Sequence, residues 1–179
     1  MEKVIVVGRS NVGKSSLIEA ITGVKVDKGK RPGLTLRFNE YKHGNLIFVD
    51  FPGFGFMQNV KKDRQEALKD SIVQYVESGE FSHAIEVIDA KAFLNIYERW
   101  IDVQIPVDIE FYRFLSEFTE PILAVNRIDK MRSYERDGML NDIALKFGLA
   151  VPWERNKHFI PFSAKTRENV DALKRLLFQ

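Results

Sequence analysis

Short apolar runs alternate with longer stretches of helical spacing along the whole of this 179-residue chain. The runs predict strands near 3–8, 36–42, 45–50, 83–89, 121–126 and 158–162, and the spacing between them predicts helices near 14–22, 62–77, 91–100, 107–118, 133–147 and 167–177. Strand and helix in alternation is the pattern of β-α-β units. The chain is therefore expected to form an α/β domain, with a mostly parallel six-stranded sheet and helices on both faces. One connection is too short for a crossover: His43-Gly44-Asn45 reads as a tight hairpin, which makes one edge strand antiparallel.

Two stretches break the alternation. Lys28-Gly29-Lys30-Arg31-Pro32-Gly33 has no apolar periodicity and reads as a mobile loop. Residues 90–106, with Phe93, Ile96, Tyr97, Trp100 and Ile101, read as an extra helical excursion whose apolar spacing predicts packing against the body. No repeat or linker divides the chain, so residues 1–179 are expected to be one domain.

Composition narrows the classes. With no cysteine there is neither a disulfide nor a thiol-based metal site, in keeping with an intracellular setting. No apolar stretch is long enough to cross a bilayer, and the first apolar run is too short for a secretion signal, so a cytoplasmic protein without a membrane partner is expected. A net charge of +2 argues little about nucleic acid by itself. Its distribution says more, because Lys25, Lys28, Lys30, Arg31 and Arg37 crowd one stretch and Lys61, Lys62 and Arg64 another.

Chemistry enters where the first run ends. Gly8-Arg9-Ser10-Asn11-Val12-Gly13-Lys14-Ser15 follows Val4-Ile5-Val6-Val7 and opens the first helix, the setting of a phosphate-binding loop. Its glycines let backbone N–H groups curl around a di- or triphosphate at the helix N-terminus, with Lys14 reaching the β- and γ-phosphates and Ser15 on Mg²⁺. Asp50-Phe51-Pro52-Gly53 ends the third run, where Asp50 can bind Mg²⁺ and the Gly53 N–H can meet a γ-phosphate oxygen. Asn126-Arg127-Ile128-Asp129 ends the fifth: the Asp129 carboxylate can accept from guanine N1–H and its exocyclic amine, with Asn126 tying this loop to the phosphate loop. Ser163-Ala164-Lys165 ends the sixth, where the Ala164 N–H could meet guanine O6.

Together these segments resemble the P-loop GTPases, and more narrowly the EngB (YihA) family of ribosome-assembly GTPases. The narrower likeness rests on Gly8 to Ser16, on Arg31-Pro32-Gly33-Leu34-Thr35, and on Asp50-Phe51-Pro52-Gly53-Phe54-Gly55-Phe56. The resemblance implies a G domain that hydrolyses GTP to GDP and phosphate. It makes Thr35 the threonine that ligates Mg²⁺ and contacts the γ-phosphate, and Gly8, Val12, Gly13 and Ser16 parts of the nucleotide cradle. It also implies that Asn11 could hold K⁺ near the phosphates. Two departures stand out: Arg127 occupies a position where lysine is usual, and residues 90–106 exceed the usual connection.

Phe54 stands where Ras-like enzymes carry the water-orienting glutamine, and an apolar ring cannot orient water. Catalysis is then left to Lys14, Thr35, Gly53 and cations, and turnover without a partner should be slow. The leading expectation is a monomeric GTP switch that meets a pre-ribosomal particle or rRNA. The alternative is a GTP-gated module that signals to a protein effector without RNA.

Overall fold

A computed structural model describes residues 1–26, 38–53 and 62–178, the last span by backbone alone as far as residue 65. The strands are β1 (Glu2–Val7), β2 (Asn39–His43), β3 (Leu46–Asp50), β4 (His83–Asp89), β5 (Ile122–Asn126) and β6 (Phe159–Pro161). The helices are α1 (Lys14–Thr22), α2 (Lys62–Glu77), α3 (Ala90–Trp100), α4 (Val107–Ser116), α5 (Ser133–Lys146) and α6 (Val170–Leu177). The strands form one sheet in the order β2-β3-β1-β4-β5-β6, parallel except where the hairpin turns β2 antiparallel to β3. Thr35 and the basic residues Lys28, Lys30, Arg31 and Arg37 lie outside the described residues, as do Phe54 and Phe56.

Alternation along the strands decides which helices cover which face. Val4 and Val6 of β1 with Ile85 and Val87 of β4 point to α1 and α6, where Leu17, Ile21, Leu173 and Leu177 are buried. Ile5, Val7 and Ala84 point the other way, to Ile72 and Val76 of α2 and Leu115 of α4. Ile88, Leu123 and Val125 meet Phe93 of α3 and Ile143 of α5. Both faces are covered, which is why the central strands read as apolar runs, broken only by Glu86 within β4.

Parallel strands in register bring their carboxyl ends to one edge. Val6 pairs with Asp50, Val7 with Glu86, Asp89 with Asn126, and Val125 with Pro161. The strand order reverses beside β1, and such a reversal opens the crevice in which α/β folds take their ligands.

The predicted elements are all present, with two differences. The last helix starts at Val170 rather than 167, because Arg167 and Asn169 take positive φ values of 64° and 58° that a right-handed helix cannot include. Residues 90–106 pack only in part. Phe93 and Leu94 are buried and Tyr97 is half-buried, but Trp100 and Val103 are 38% and 74% exposed, so the expected packing ends within the third turn of α3.

Candidate functional site

Each predicted segment sits at the carboxyl edge of the sheet. The loop after β1 turns into α1 at Gly13, whose φ of 106° belongs to the left-handed side of the map. A Cβ there would stand 2.2 Å from Nδ2 of Asn126, so any other residue would push that side chain aside. The close approach is used: Asn126 Nδ2 donates to the Val12 carbonyl at 2.8 Å, the tie between the two loops that the sequence predicts. Gly53 approaches the same loop from β3, and a Cβ on it would lie 2.5 Å from Ser10 Cα. Phe51 anchors that approach, buried against Phe38 and Tyr75 at ring separations of 4.2 and 5.2 Å.

Lys14 is buried, and its Nζ donates to the Gly8 and Arg9 carbonyls at 3.0 and 2.9 Å. Burial brings its ammonium down to about 8, against the opposing charge of Asp50. Ser15 Oγ donates to Asp50 Oδ2 at 2.8 Å, whereas Asp50 Oδ1 is buried without a hydrogen-bond partner among the described residues. Burial pushes the Asp50 carboxyl up, opposed by that hydrogen bond and by Lys14. An orphaned carboxylate oxygen beside a hydroxyl is a donor set suited to a hard cation, so the residues present fit Mg²⁺.

On the base side, Ser163 is fully buried and its Oγ donates to Asp129 Oδ1 at 2.6 Å, which orients the carboxylate. Asn126 Oδ1 accepts from the Arg127 and Ala164 N–H groups at 2.8 and 3.1 Å. The Ala164 N–H expected to face guanine O6 is thus engaged, and a base could at most share it. A groove of about 400 Å³ runs between α1 and these loops, lined by Gly13, Ser16, Asn126, Arg127, Ala164 and Lys165 among others. The structure therefore gathers every predicted site residue that it describes. The exposed Asn11 keeps its side chain clear of described partners, while its carbonyl accepts from Arg127 Nη2 at 2.7 Å.

Three carboxyl groups near this edge escaped the sequence reading. Asp89 ends β4 and pairs with Arg127. Asp108, near the start of α4, lies 3.5 Å from Arg9 of the phosphate loop. Glu86 is fully buried in β4, and neither oxygen is hydrogen-bonded among the described residues. A lone acidic residue inside the run Ala84-Ile85-Glu86-Val87-Ile88 was the available signal. Burial pushes Glu86 well above its ordinary 4.5, and the nearby Asp108 adds to the effect. The folded chain therefore keeps a proton that the unfolded chain releases, and stability falls as pH rises past 4.5 until folded Glu86 also ionises. Glu86→Gln is expected to flatten that decline, leaving the share due to Asp108 and Asp50, whose carboxyls burial also pushes up. Denaturant midpoints measured from about pH 5 to 8 check it, and a slope equal to that of the unsubstituted protein would refute the assignment.

Known proteins resemble this chain in sequence and fold. Residues 3–127 match the family model described as 50S ribosome-binding GTPase. A probable GTP-binding protein EngB from Methanosarcina mazei is 45% identical over 98% of this chain and 86% of its own length. Another, from Methanopyrus kandleri, is 46% identical over 95% of this chain and 87% of its own. A crystal structure of a probable GTP-binding protein EngB superposes with a TM-score of 0.88 at 43% identity, covering 98% of this chain and 96% of that one. Era in complex with MgGDPNP and 16S ribosomal RNA nucleotides shares the fold, with a TM-score of 0.67 at 24% identity over 98% of this chain and 55% of Era. No helix among the described residues is long and apolar enough to cross a membrane.

Proposed function

We propose that this chain, which belongs to the EngB family of GTP-binding GTPases, is a nucleotide-controlled switch in assembly of the large ribosomal subunit. The observation that carries the reading is the convergence of four motif segments on one sheet edge, in a chain most of which matches a family described as ribosome-binding.

In this reading the phosphates lie in the loop of Gly8 to Ser15, and the base lies in the groove beside Asn126 and Asp129. Lys14 moves its ammonium from the loop carbonyls to the β- and γ-phosphates and balances their charge. Asp129 accepts from the guanine N1–H and amine, held in place by Ser163. The Gly53 N–H reads the γ-phosphate. Ser15, Asp50 and Thr35 would hold Mg²⁺, which when bound neutralises charge on the transferring phosphoryl group. Asn11 would offer K⁺ its side-chain amide oxygen, since its carbonyl already accepts one hydrogen bond from Arg127. Equal hydrolysis rates in K⁺ and Na⁺ would remove that role.

Thr35 and the basic residues before it are the segment that the γ-phosphate would order, together with the residues after Gly53. That couples nucleotide state to affinity for a particle rich in phosphate. Co-sedimentation with ribosomal particles is expected in the presence of a non-hydrolysable GTP analogue and to weaken with GDP. With three phosphate contacts from Lys28, Lys30 and Arg31, the log–log salt slope should be about −2 to −3. Equal binding in both nucleotide states would remove nucleotide control, and no binding in either would overturn the ribosomal reading and leave a protein effector as the partner.

A further inference from the structure

The guanidinium of Arg127 does two things at once. Nη1 pairs with Asp89 Oδ2, and Nη2 donates to the Asn11 carbonyl at 2.7 Å. Asp89 is equally divided: its other oxygen, Oδ1, accepts from the Ala92 N–H at 3.1 Å and caps the first turn of α3. Arg127 itself has φ of 68°, a left-handed conformation that sends its side chain back across the phosphate loop rather than along β5. A planar fork can span a carboxylate and a carbonyl together, whereas a lysine ammonium is a single point of charge. Arg127 thus has a carboxylate placed to hold one arm of its fork while the other reaches the phosphate loop.

We propose that Asp89 is a positioning residue for the guanine nucleotide. It locks Arg127 as a strut between the base-binding loop and the phosphate-binding loop, and so sets how long the nucleotide stays bound. A nucleotide touches both loops, and it can leave when their separation fluctuates. Asn126 holds them together at Val12, and the strut adds a second point one residue earlier, at Asn11. Because Asp89 also caps α3, the strut is fixed to the helix that lengthens this connection. A further pair, Arg9 with Asp108, holds the same loop from α4. Asp89, Asp108, Arg9 and Arg127 line one cavity of about 170 Å³ behind the phosphate loop, walled by Phe93 and Ile96 of α3.

The inference rests on the guanine-nucleotide reading of this site. Its test uses Asp89→Asn in the full chain, which keeps an acceptor for the Ala92 N–H and puts an uncharged NH₂ donor in place of the carboxylate oxygen facing Arg127. Release of a fluorescent GDP should accelerate about tenfold, a modest figure because the Arg127 side chain is 36% exposed. Single-turnover hydrolysis of bound GTP should change less than about threefold, because no group at the phosphates is altered. Arg127→Lys should accelerate release to a similar degree, and it stands in if Asp89→Asn fails to fold. Adding Asp89→Asn to Arg127→Gln should cost nothing more, since the strut is already gone. Release at the unsubstituted rate in Asp89→Asn, or additive losses in the double variant, would overturn the proposal. A failure of the unsubstituted protein to bind GTP would instead sink the nucleotide reading on which it stands.

Discussion

Asp129→Asn is expected to weaken GTP about 100-fold and to make xanthosine triphosphate the preferred ligand. Two charge-assisted hydrogen bonds to guanine, each worth roughly 1.5 kcal/mol or more, are at stake, and about 3 kcal/mol corresponds to that factor. The amide reverses the preference because its NH₂ can donate to the xanthine O2 while its oxygen still accepts from N1–H. Ser163 supports the substitution, since its Oγ can keep donating to the remaining carbonyl oxygen as it now does to Asp129 Oδ1. Competition between the two triphosphates for the purified variant decides the matter. Unaltered GTP affinity would show that Asp129 does not read the base.

Gly13→Ala should abolish detectable nucleotide binding while leaving the core of the sheet intact. The added methyl would meet Nδ2 of Asn126 at 2.2 Å, and the φ of 106° is one that alanine tolerates poorly. Relief requires Asn126 to withdraw from the Val12 carbonyl, which separates the base loop from the phosphate loop. Gly138 makes the control, since it lies within α5 and a Cβ there meets nothing within 4 Å. Gly138→Ala should stabilise the fold by about 0.4 to 1 kcal/mol with nucleotide affinity unchanged. Titration of a fluorescent GTP analogue against both variants separates the two cases. Ordinary affinity in Gly13→Ala would mean that the loop can move aside without loss.

The wall against Asn126 also shows why some features were legible in the linear chain and others were not. Alternating periodicity named six strands and six helices, and the hairpin at His43-Gly44-Asn45 placed the antiparallel edge. These depend on neighbours a few residues apart, so the local pattern carries them. Lys14, Asp50, Asn126 and Asp129 were legible for a similar reason: each lies in a short motif directly after an apolar run, and parallel strands in register bring such ends together.

Asp89, Asp108 and Glu86 belong to the other kind. Nothing in their local sequence says that Asp89 meets an arginine 38 residues later, or that Asp108 reaches back to Arg9. Nor does local pattern tell where α3 stops packing, because Trp100 has the same helical spacing as the buried Phe93 and differs only in what stands opposite it. Apolar and glycine patterns encode which local conformations a segment can adopt. The pairing of charges, and the proton that a buried Glu86 must keep, follow from distances and desolvation that exist only once the strands and helices have closed around them.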